Sequence, residues 1–325
     1  MGKMTELKIS IIGSGRLGSA LAYAINNAGL PEASIVSVSS RSQKTLAAAK
    51  KLLGNPPGKI FFTNNNYLAA KISNCIFICT PDDEIKNACN EIFKAGETFH
   101  EVEKKKGSSI KTINSFKNPE EISVFHFSGS KKIDVLDSAL KAGASAACMH
   151  PLKSFIDSKE AVKTLENTLY GVTYDKNDKK IKKIIGILSK TLKGRTIFIE
   201  NDKKTLYHAC ACIASNYLVS LMDFAIDAGS EVGLDPAIFL SGLVNLSEGT
   251  LLNIKKLGTN KALTGPIARG DTGTISGHIE KIKELKRDDV KELYEVMGKK
   301  TAKMALENTW INDKTYNELV KILNK

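Results

Sequence analysis

The residues best suited to chemistry lie on one apolar stretch in the second half of the chain. Counted along a helix, the positions i, i+4, i+7 and i+8 are held by His208, Cys212, Ser215 and Asn216, so that they share a face. A histidine and an asparagine among small apolar residues are costly to bury without partners. We predict that His208 donates a proton, that Asn216 is a catalytic polar anchor, and that Ser215 contacts substrate. The alternative is that these side chains only bond to neighbouring helices.

A second polar group lies in the turn-rich segment from Leu263 to His278. Its glycines and proline indicate a loop, and Asp271 or Thr272 is a plausible N-cap for the helix that follows. Arg269 suits a substrate carboxylate, because a guanidinium binds it through paired hydrogen bonds. Its alternative roles are an ion pair with Asp271 or a subunit contact. The other predicted substrate contacts are His150, Thr264, Asp271 and His278.

A coenzyme site is indicated near the start of the chain. The strand-like Lys8–Ile12 runs into a G-x-G-x-x-G turn and then an apolar helix, which is the order of a dinucleotide-binding βαβ unit. The first glycine permits the tight turn, the second lets a pyrophosphate approach, and the third lets the helix lie against the strand. The alternative is a tight turn that binds nothing. The predicted binding residues are Gly13, Ser14, Gly15, Arg16, Leu17 and Gly18.

The end of the second predicted strand indicates which dinucleotide binds. An NAD site usually has an acidic residue there, whereas this chain has Ser40 and Arg41. A guanidinium and hydroxyls suit a 2′-phosphate, so we predict NADP(H) as the coenzyme. The alternative is a polar turn in which Arg41 is merely solvated. Thr80 and Pro81 follow the apolar run from Cys75 and are predicted to contact the coenzyme, because open α/β sheets bind ligands at the carboxyl ends of their strands.

The elements that must position these residues change character along the chain. Strand and helix patterns alternate through the first part, and only helical periodicity follows, with one long helix expected over 202–229. The predicted fold class is α/β, with a Rossmann-type, largely parallel sheet followed by an all-α domain. We predict an NADP-binding domain at 1–199 and a helical domain for substrate binding and dimerisation at 200–325.

The cysteines and the most apolar segment bear on location and assembly. The six cysteines form no C-x-x-C pair and have no ligand-like spacing with histidine, so we predict reduced thiols, no metal site and a cytoplasmic protein. The segment from Leu206 to Ile226 is too apolar for a surface helix, and its polar residues argue against a membrane span. We expect it to be buried at the centre of its domain or in a homodimer interface.

The formal charge of +12 raises the question of nucleic-acid binding. The lysines occur in short runs without interleaved aromatic residues, which is typical of solvated helix faces and loops. We therefore predict no nucleic-acid partner. A positive surface would instead attract a small anionic substrate and the coenzyme.

Four motifs carry a resemblance that extends over nearly the whole chain. They are His126–Gly129, His150–Leu152, Ala214–Tyr217 and Leu263–Asp271. The N-terminal half resembles the NADP-binding domains of pyrroline-5-carboxylate reductase and ketopantoate reductase. The C-terminal half resembles the helical domain of a Rossmann-like oxidoreductase family long labelled a domain of unknown function.

The resemblance to ketopantoate reductases has two departures. That family has a catalytic lysine eight residues before an Asn-Pro-Leu motif. Setting Asn216 on this motif places His208 at the lysine and Cys212 where the family has asparagine. Histidine can act as the acid, but cysteine cannot replace the hydrogen bonds of asparagine.

The resemblance implies an NADPH-dependent reductase of a small keto acid. The best candidate is the reduction of ketopantoate to pantoate in pantothenate and coenzyme A synthesis. The alternatives are an imine reductase acting on pyrroline-5-carboxylate and a non-catalytic NADP(H)-binding protein.

Overall fold

The computed structural model describes residues 6–54, 60–93 and 118–324. The chain forms two compact units, Met1–Cys212 and Ile213–Lys325. The predicted boundary at 199/200 lies before the helix Lys204–Ala214, whereas the first unit continues through Cys212.

The first unit is built on an eight-stranded sheet with the order β3-β2-β1-β4-β5-β6-β7-β8. Every neighbouring pair is parallel except β6 with β7, which is antiparallel. This confirms the predicted largely parallel, Rossmann-type sheet. The strands are β1 Leu7–Ile12, β2 Ala33–Ser39, β3 Phe61–Thr63, β4 Cys75–Ile78, β5 Ser123–His126, β6 Ser145–Pro151, β7 Leu169–Tyr174 and β8 Arg195–Phe198.

Helices of the first unit lie between these strands and cover the sheet. The central strands β4 and β5 are buried along their whole length, as expected for parallel strands covered on both faces. Phe77 of β4 packs edge to face against Phe125 at 5.7 Å and Phe127 at 4.9 Å. The helices are α1 Arg16–Asn27, α2 Gln43–Leu53, α3 Asn66–Ala70, α4 over 85–93, α5 Asp137–Lys141, α6 Ser158–Thr164, α7 Lys179–Thr191 and α8 Lys204–Ala214.

The strand directions place several loops on one edge of the sheet. Because β1, β4, β5 and β6 are mutually parallel neighbours, their carboxyl ends lie side by side. This edge carries the glycine-rich turn after β1, Thr80 after β4, Ser128 and Gly129 after β5, and the end of β6. It is the edge at which sheets of this class bind ligands.

The second unit is helical in all of its described elements, which confirms the predicted all-α region. Its compact core is formed by Ile275, Ile279, Ala302 and Leu319, among others, from the last three helices. The helices are α9 Asn216–Glu231, α10 Pro236–Ala262, α11 Thr272–Glu284, α12 Asp288–Glu307 and α13 Asp313–Ile322.

The long helix expected over 202–229 is interrupted. Ser215 stays in the right-handed helical region, but its φ of −119° is distorted, and it separates α8 from α9. Serine and asparagine side chains compete for backbone hydrogen bonds, and Ser215 and Asn216 lie together at this break. The prediction of one continuous helix is therefore wrong at Ser215.

The apolar stretch from Leu206 is largely exposed within the described residues. Leu206 is 70% exposed, Ile213 62% and Val219 71%. The expectation that this segment forms the centre of its domain is wrong, and the alternative of a homodimer interface stays a prediction. By length and composition alone, the helical segments Asn201–Glu231 and Pro236–Ala262 could also cross a membrane, since each contains an 18-residue window whose mean hydropathy is 1.5 or 1.3, respectively.

Candidate active site

The glycine-rich turn has the geometry that a pyrophosphate requires. Gly13 has a φ of +97°, and a Cβ there would lie 2.9 Å from the backbone of Cys79 and Thr80. A Cβ at Gly18 would clash with the Gly13 carbonyl oxygen. Gly15 caps the N-terminus of α1 and has open space around its Cβ position. The turn is thus closely packed on the strand side and open where the phosphates would approach.

Unpartnered polar atoms at the same edge also fit a dinucleotide. Ser14 Oγ and Thr80 Oγ1 are buried and have no hydrogen-bond partner among the residues that the structure describes. The first turn of α1, which begins with Arg16 and Leu17, contains no acidic residue, so its backbone N–H groups are free to meet phosphate oxygens. Because buried polar groups normally have partners, these residues fit the phosphates and sugars of NADP(H).

The predicted 2′-phosphate residues lie directly after β2. Ser40 is buried, and its backbone N–H donates to the carbonyl of Thr63 at 3.2 Å. Arg41 forms an ion pair with Glu84, in the turn after β4, at 2.9 Å. An exposed pair of this kind contributes roughly 1 kcal/mol or less, so a phosphate can compete for Arg41. The contact of Glu84 with Arg41 was not predicted, because it forms only where the loop after β2 meets the turn after β4.

A histidine-rich cluster lies farther along the same edge. His126 of β5 is in register with Cys148 of β6, and Cys148 and His150 lie on one face of β6. Helix α8 adds Tyr207 and His208 to this cluster. The rings of His150 and His208 are 6.1 Å apart.

Two glycines allow α8 to approach so closely. A Cβ at Gly129 would lie 2.5 Å from Cδ2 of His208 and 2.9 Å from Nε2 of His150. A Cβ at Gly171 in β7 would lie 2.6 Å from the hydroxyl oxygen of Tyr207. Any larger residue at either glycine would push the aromatic side chains of α8 away from the sheet.

Lys204 is buried next to this cluster, and it was not predicted from the sequence. It is 1% exposed, and its Nζ donates to the Ser128 carbonyl at 3.1 Å and contacts Cys148 Sγ at 2.9 Å. The sequence does show that Lys204 lies one helical turn before His208, which places the two side chains on the same face of the helix. A buried lysine bonded to a carbonyl and a thiol keeps a positive charge close to the histidines.

The remaining contacts fix the ring orientations. The Tyr207 hydroxyl and His150 Nδ1 are 3.1 Å apart, and His208 Nδ1 lies 3.9 Å from Cys212 Sγ. On the neighbouring turn, Asp82 accepts hydrogen bonds from the Ser128 hydroxyl at 2.6 Å and the Ser130 hydroxyl at 3.1 Å. The turn that starts at the predicted Pro81 is thereby tied to the loop after β5.

Burial and charge keep two of the histidines neutral. Burial, aided by Lys204 and His150, lowers the pKa of His126 to about 3. Burial, aided by Lys204 and His208, lowers the pKa of His150 to about 4. Burial raises the pKa of Tyr207 to about 12. His126 and His150 therefore serve as neutral hydrogen-bonding groups near pH 7.

The second unit contains the other predicted site residues. Asn216 and Ser215 are exposed at the start of α9. Asp271 is the N-cap of α11 and accepts hydrogen bonds from Thr274, which accounts for its carboxylate without a substrate. In the described residues Arg269 forms no ion pair with Asp271 or any other acid.

Two cavities of the second unit involve the rest of these residues. Thr264 and His278 line a largely apolar cavity of about 470 Å³, in which His278 Nδ1 and the Tyr294 hydroxyl are 2.7 Å apart. Arg269 lines a different cavity of about 720 Å³, together with Trp310. The structure thus brings together His150 with His208 and Thr264 with His278, whereas Arg269 and Thr264 line different cavities.

Two family models match the chain and together span more than half of it. Residues 8–100 match the family described as NADP oxidoreductase coenzyme F420-dependent, and residues 170–301 match the domain of unknown function DUF2520. The chain is an NADP-dependent oxidoreductase. The predicted family resemblance and coenzyme are confirmed, and the non-catalytic alternative is set aside. No curated protein matches the oxidoreductase.

Solved structures of the same fold span nearly the full length of the oxidoreductase. A candidate NADP oxidoreductase from Bacteroides fragilis is 16% identical, with a TM-score of 0.66 over 92% of this chain and 98% of that chain. A Thermotoga maritima protein is 21% identical, with a TM-score of 0.59 over 97% and 96%. The Plasmodium falciparum pyrroline carboxylate reductase with NADP bound is 16% identical, with a TM-score of 0.54 over 93% and 99%. At these identities the likeness concerns the fold.

Proposed function

We propose that the oxidoreductase uses NADPH to reduce the carbonyl group of a small keto acid, with ketopantoate as the best candidate. The observation that carries this proposal is the cluster of His150, Tyr207, His208 and Lys204 on the sheet edge that also carries the glycine-rich turn. A coenzyme site and a set of proton-bearing groups share one edge, as a carbonyl reductase requires.

The roles follow from charge and position. Bound NADPH supplies the hydride that adds to the carbonyl carbon. His208 delivers a proton to the oxygen, so that the product is the alcohol. The positive charge of Lys204 stabilises the negative charge that develops on that oxygen. Asn216 and Arg269 remain predicted contributors from the second unit, as a polar anchor and a carboxylate ligand, with Ser215, Thr264 and His278 as further predicted contacts.

A second candidate is reduction of a cyclic imine such as pyrroline-5-carboxylate. The histidine at position 208, where ketopantoate reductases have lysine, favours this candidate, because an iminium needs less from an enzymic acid. The buried charge of Lys204 favours the keto acid instead, because it repels a cationic iminium.

A panel of keto acids and cyclic imines, followed by NADPH absorbance, tests the proposal. With the substrate found, we expect His208→Ala to lower kcat by about 10²–10⁴-fold and to leave the NADPH affinity unchanged. Cys210→Ala is the matched control, because Cys210 is exposed on the same helix. An unchanged kcat in His208→Ala removes His208 from the mechanism, and turnover of imines alone makes the second candidate correct.

We also propose a cytoplasmic homodimer held together by α9 and α10. Helix α10 exposes apolar residues along its whole length, and such a helix is normally enclosed by other helices. A second copy offers the same apolar surface and would cover it. Insertion of this surface into a membrane is the alternative, and binding to lipid vesicles would distinguish it from a dimer. The absence of a nucleic-acid partner stays a separate prediction. The exposed residues are Ile238, Leu240, Val244, Leu246, Leu251, Leu252 and Leu257.

A further inference from the structure

A carboxylate lies near the end of β2 in the folded chain, although the sequence has no acidic residue at that strand end. Dinucleotide sites that select NAD usually have an acidic residue there, whereas β2 is followed by Ser40 and Arg41. The structure brings in Glu84 from the turn after β4, with its Oε2 2.9 Å from Nη2 of Arg41. A carboxylate and a guanidinium therefore lie together where folds of this class bind the adenosine ribose.

The ion pair of Arg41 and Glu84 forms beside the glycine-rich turn. In the sheet, β1 lies between β2 and β4 and is parallel to both strands. All three strands therefore end at the same edge, and the side chains that follow β2 and β4 meet across the end of β1. A dinucleotide that extends from the turn after β1 to the end of β2 must run beside this ion pair.

The backbone of Glu84 is held in place by the turn to which it belongs. Its N–H donates to the Pro81 carbonyl at 2.9 Å, and the next residue, Ile85, is buried. At the start of the same turn, Asp82 accepts hydrogen bonds from two serine hydroxyls in the loop after β5. The turn cannot withdraw without breaking these contacts, so the carboxylate of Glu84 stays close to Arg41 when a ligand binds.

The two side chains of the pair differ in their freedom to meet a ligand. Arg41 is 65% exposed and Glu84 35%. Leaving an exposed ion pair costs the guanidinium roughly 1 kcal/mol or less, and it can then bind a 2′-phosphate through paired hydrogen bonds. The carboxylate that stays behind repels the phosphate. A ribose with a free 2′-hydroxyl meets no such repulsion and can donate a hydrogen bond to the carboxylate.

We propose that Glu84 is a specificity-determining residue that reduces the preference for NADPH over NADH, because it competes for Arg41 and repels the 2′-phosphate. NADPH remains the preferred coenzyme, since Arg41 favours the phosphate, but the preference is smaller than Arg41 alone would give. The inference goes beyond the proposed function, because it concerns the coenzyme alone and is the same for a keto acid and for an imine.

Calorimetry with NADPH and with NADH tests the role of Glu84. We expect Glu84→Gln to raise the ratio of the NADH Kd to the NADPH Kd by roughly 5–10-fold, because the charge is lost while the length of the side chain is kept. NADPH should bind more tightly in this variant, and NADH should not. An unchanged ratio overturns the proposal.

The neighbouring position provides a matched control. Asp83→Asn also removes one negative charge from the turn, but Asp83 is exposed and pairs with Lys131 at 2.8 Å rather than with Arg41. We expect this variant to keep the wild-type ratio of the two Kd values. An equal rise in Asp83→Asn means that the total charge of the turn sets the preference, and it overturns the assignment to Glu84.

A double-mutant cycle with Arg41→Ala tests the competition for the guanidinium. We expect Arg41→Ala to lower the NADPH preference, and Glu84→Gln to change the ratio less in this background than in the wild type. An equal effect of Glu84→Gln in both backgrounds overturns the competition. These measurements need no substrate, so failure to find a keto acid or imine that is reduced does not affect them.

Discussion

The sheet unit of the oxidoreductase encloses its apolar residues, whereas the first two helices of the helical unit, α9 and α10, expose theirs. In the sheet unit, Ile9, Ile11 and Phe77 are fully enclosed, and helices cover both faces of the central strands. In the helical unit, Ile238 of α10 is 76% exposed, and Gly229 and Ala262 are the buried residues of α9 and α10. The sheet unit therefore completes its core from one chain, whereas the long helices leave many apolar residues exposed in the part of the chain that the structure describes.

The candidate coenzyme and histidine sites lie in the sheet unit, whereas the surface proposed for self-association lies on α9 and α10 of the helical unit. The glycine-rich turn and the histidine cluster depend on close approaches between rigid elements of the sheet unit, where a single Cβ is too large. Changes in the sheet unit should thus act on binding and catalysis, and changes on α9 and α10 should act on association.

The largest expected effect concerns Gly15. A side chain at this position meets no protein atom within 4 Å, but it occupies the space through which the pyrophosphate approaches. We expect Gly15→Val to fold normally and to bind NADPH at least roughly 100-fold more weakly, equivalent to about 2.7 kcal/mol, by calorimetry. Gly186→Val in α7 is the control, since it also has room for a side chain. Wild-type affinity in Gly15→Val would remove the turn from the coenzyme site.

The next effect concerns the exposed helices. We expect Leu246→Glu combined with Leu252→Glu to weaken self-association by roughly 10–100-fold, because charges are placed in an apolar interface, as measured by analytical ultracentrifugation. Ile156→Glu is the control, since Ile156 is 78% exposed in the sheet unit. A wild-type protein that is monomeric at every concentration contradicts the dimer. Recovery of the wild-type protein on lipid vesicles, lost in the double variant, assigns the surface to a membrane.

The smallest effect concerns pH and the sheet unit. His126 stays neutral in the folded state down to about pH 3, whereas the unfolded chain takes up this proton near pH 6.5. Below about pH 6.5 the unfolded state thus binds more protons than the folded state. The free energy of unfolding therefore decreases as the pH falls, by up to roughly 1.4 kcal/mol per pH unit for this one proton. His150 acts in the same direction as the pH falls towards 4.

Urea unfolding followed by circular dichroism between about pH 7.5 and 5.5 measures this slope. We expect a smaller slope in His126→Gln, because glutamine does not titrate. Ile156→Gln, at an exposed position of the sheet unit, is the control and should keep the wild-type slope, because neither isoleucine nor glutamine titrates. Identical slopes in wild type and His126→Gln show that His126 does not drive the pH dependence.

Local features of the fold could be predicted from the sequence. The strand Cys75–Ile78 is an unbroken apolar run, and the spacing of Gly13, Gly15 and Gly18 describes a turn whose geometry is set within six residues. The N-cap at Asp271 is likewise local, since its carboxylate reaches only to Thr274. Propensity and periodicity act over such short distances, and these features were therefore visible.

The candidate site could be predicted only in part, because its contacts join distant segments. His208 was visible as a polar residue on an apolar face, but Lys204 looked like any other lysine of a basic chain. Its partner Cys148 is 56 residues away, and Arg41 meets Glu84 only when two loops converge. The exposure of α10 could not be predicted either, because an apolar helix has the same sequence pattern whether its own domain or another molecule covers it.

Short-range patterns were sufficient for the sheet, the glycine-rich turn, the helical second half and the choice of NADP(H). The burial of Lys204 beside the histidines, the pairing of Arg41 and the break at Ser215 emerged from the folded chain. The physical reason is that backbone geometry and hydrophobic periodicity depend on neighbours in sequence, whereas burial and electrostatic fields depend on neighbours in space.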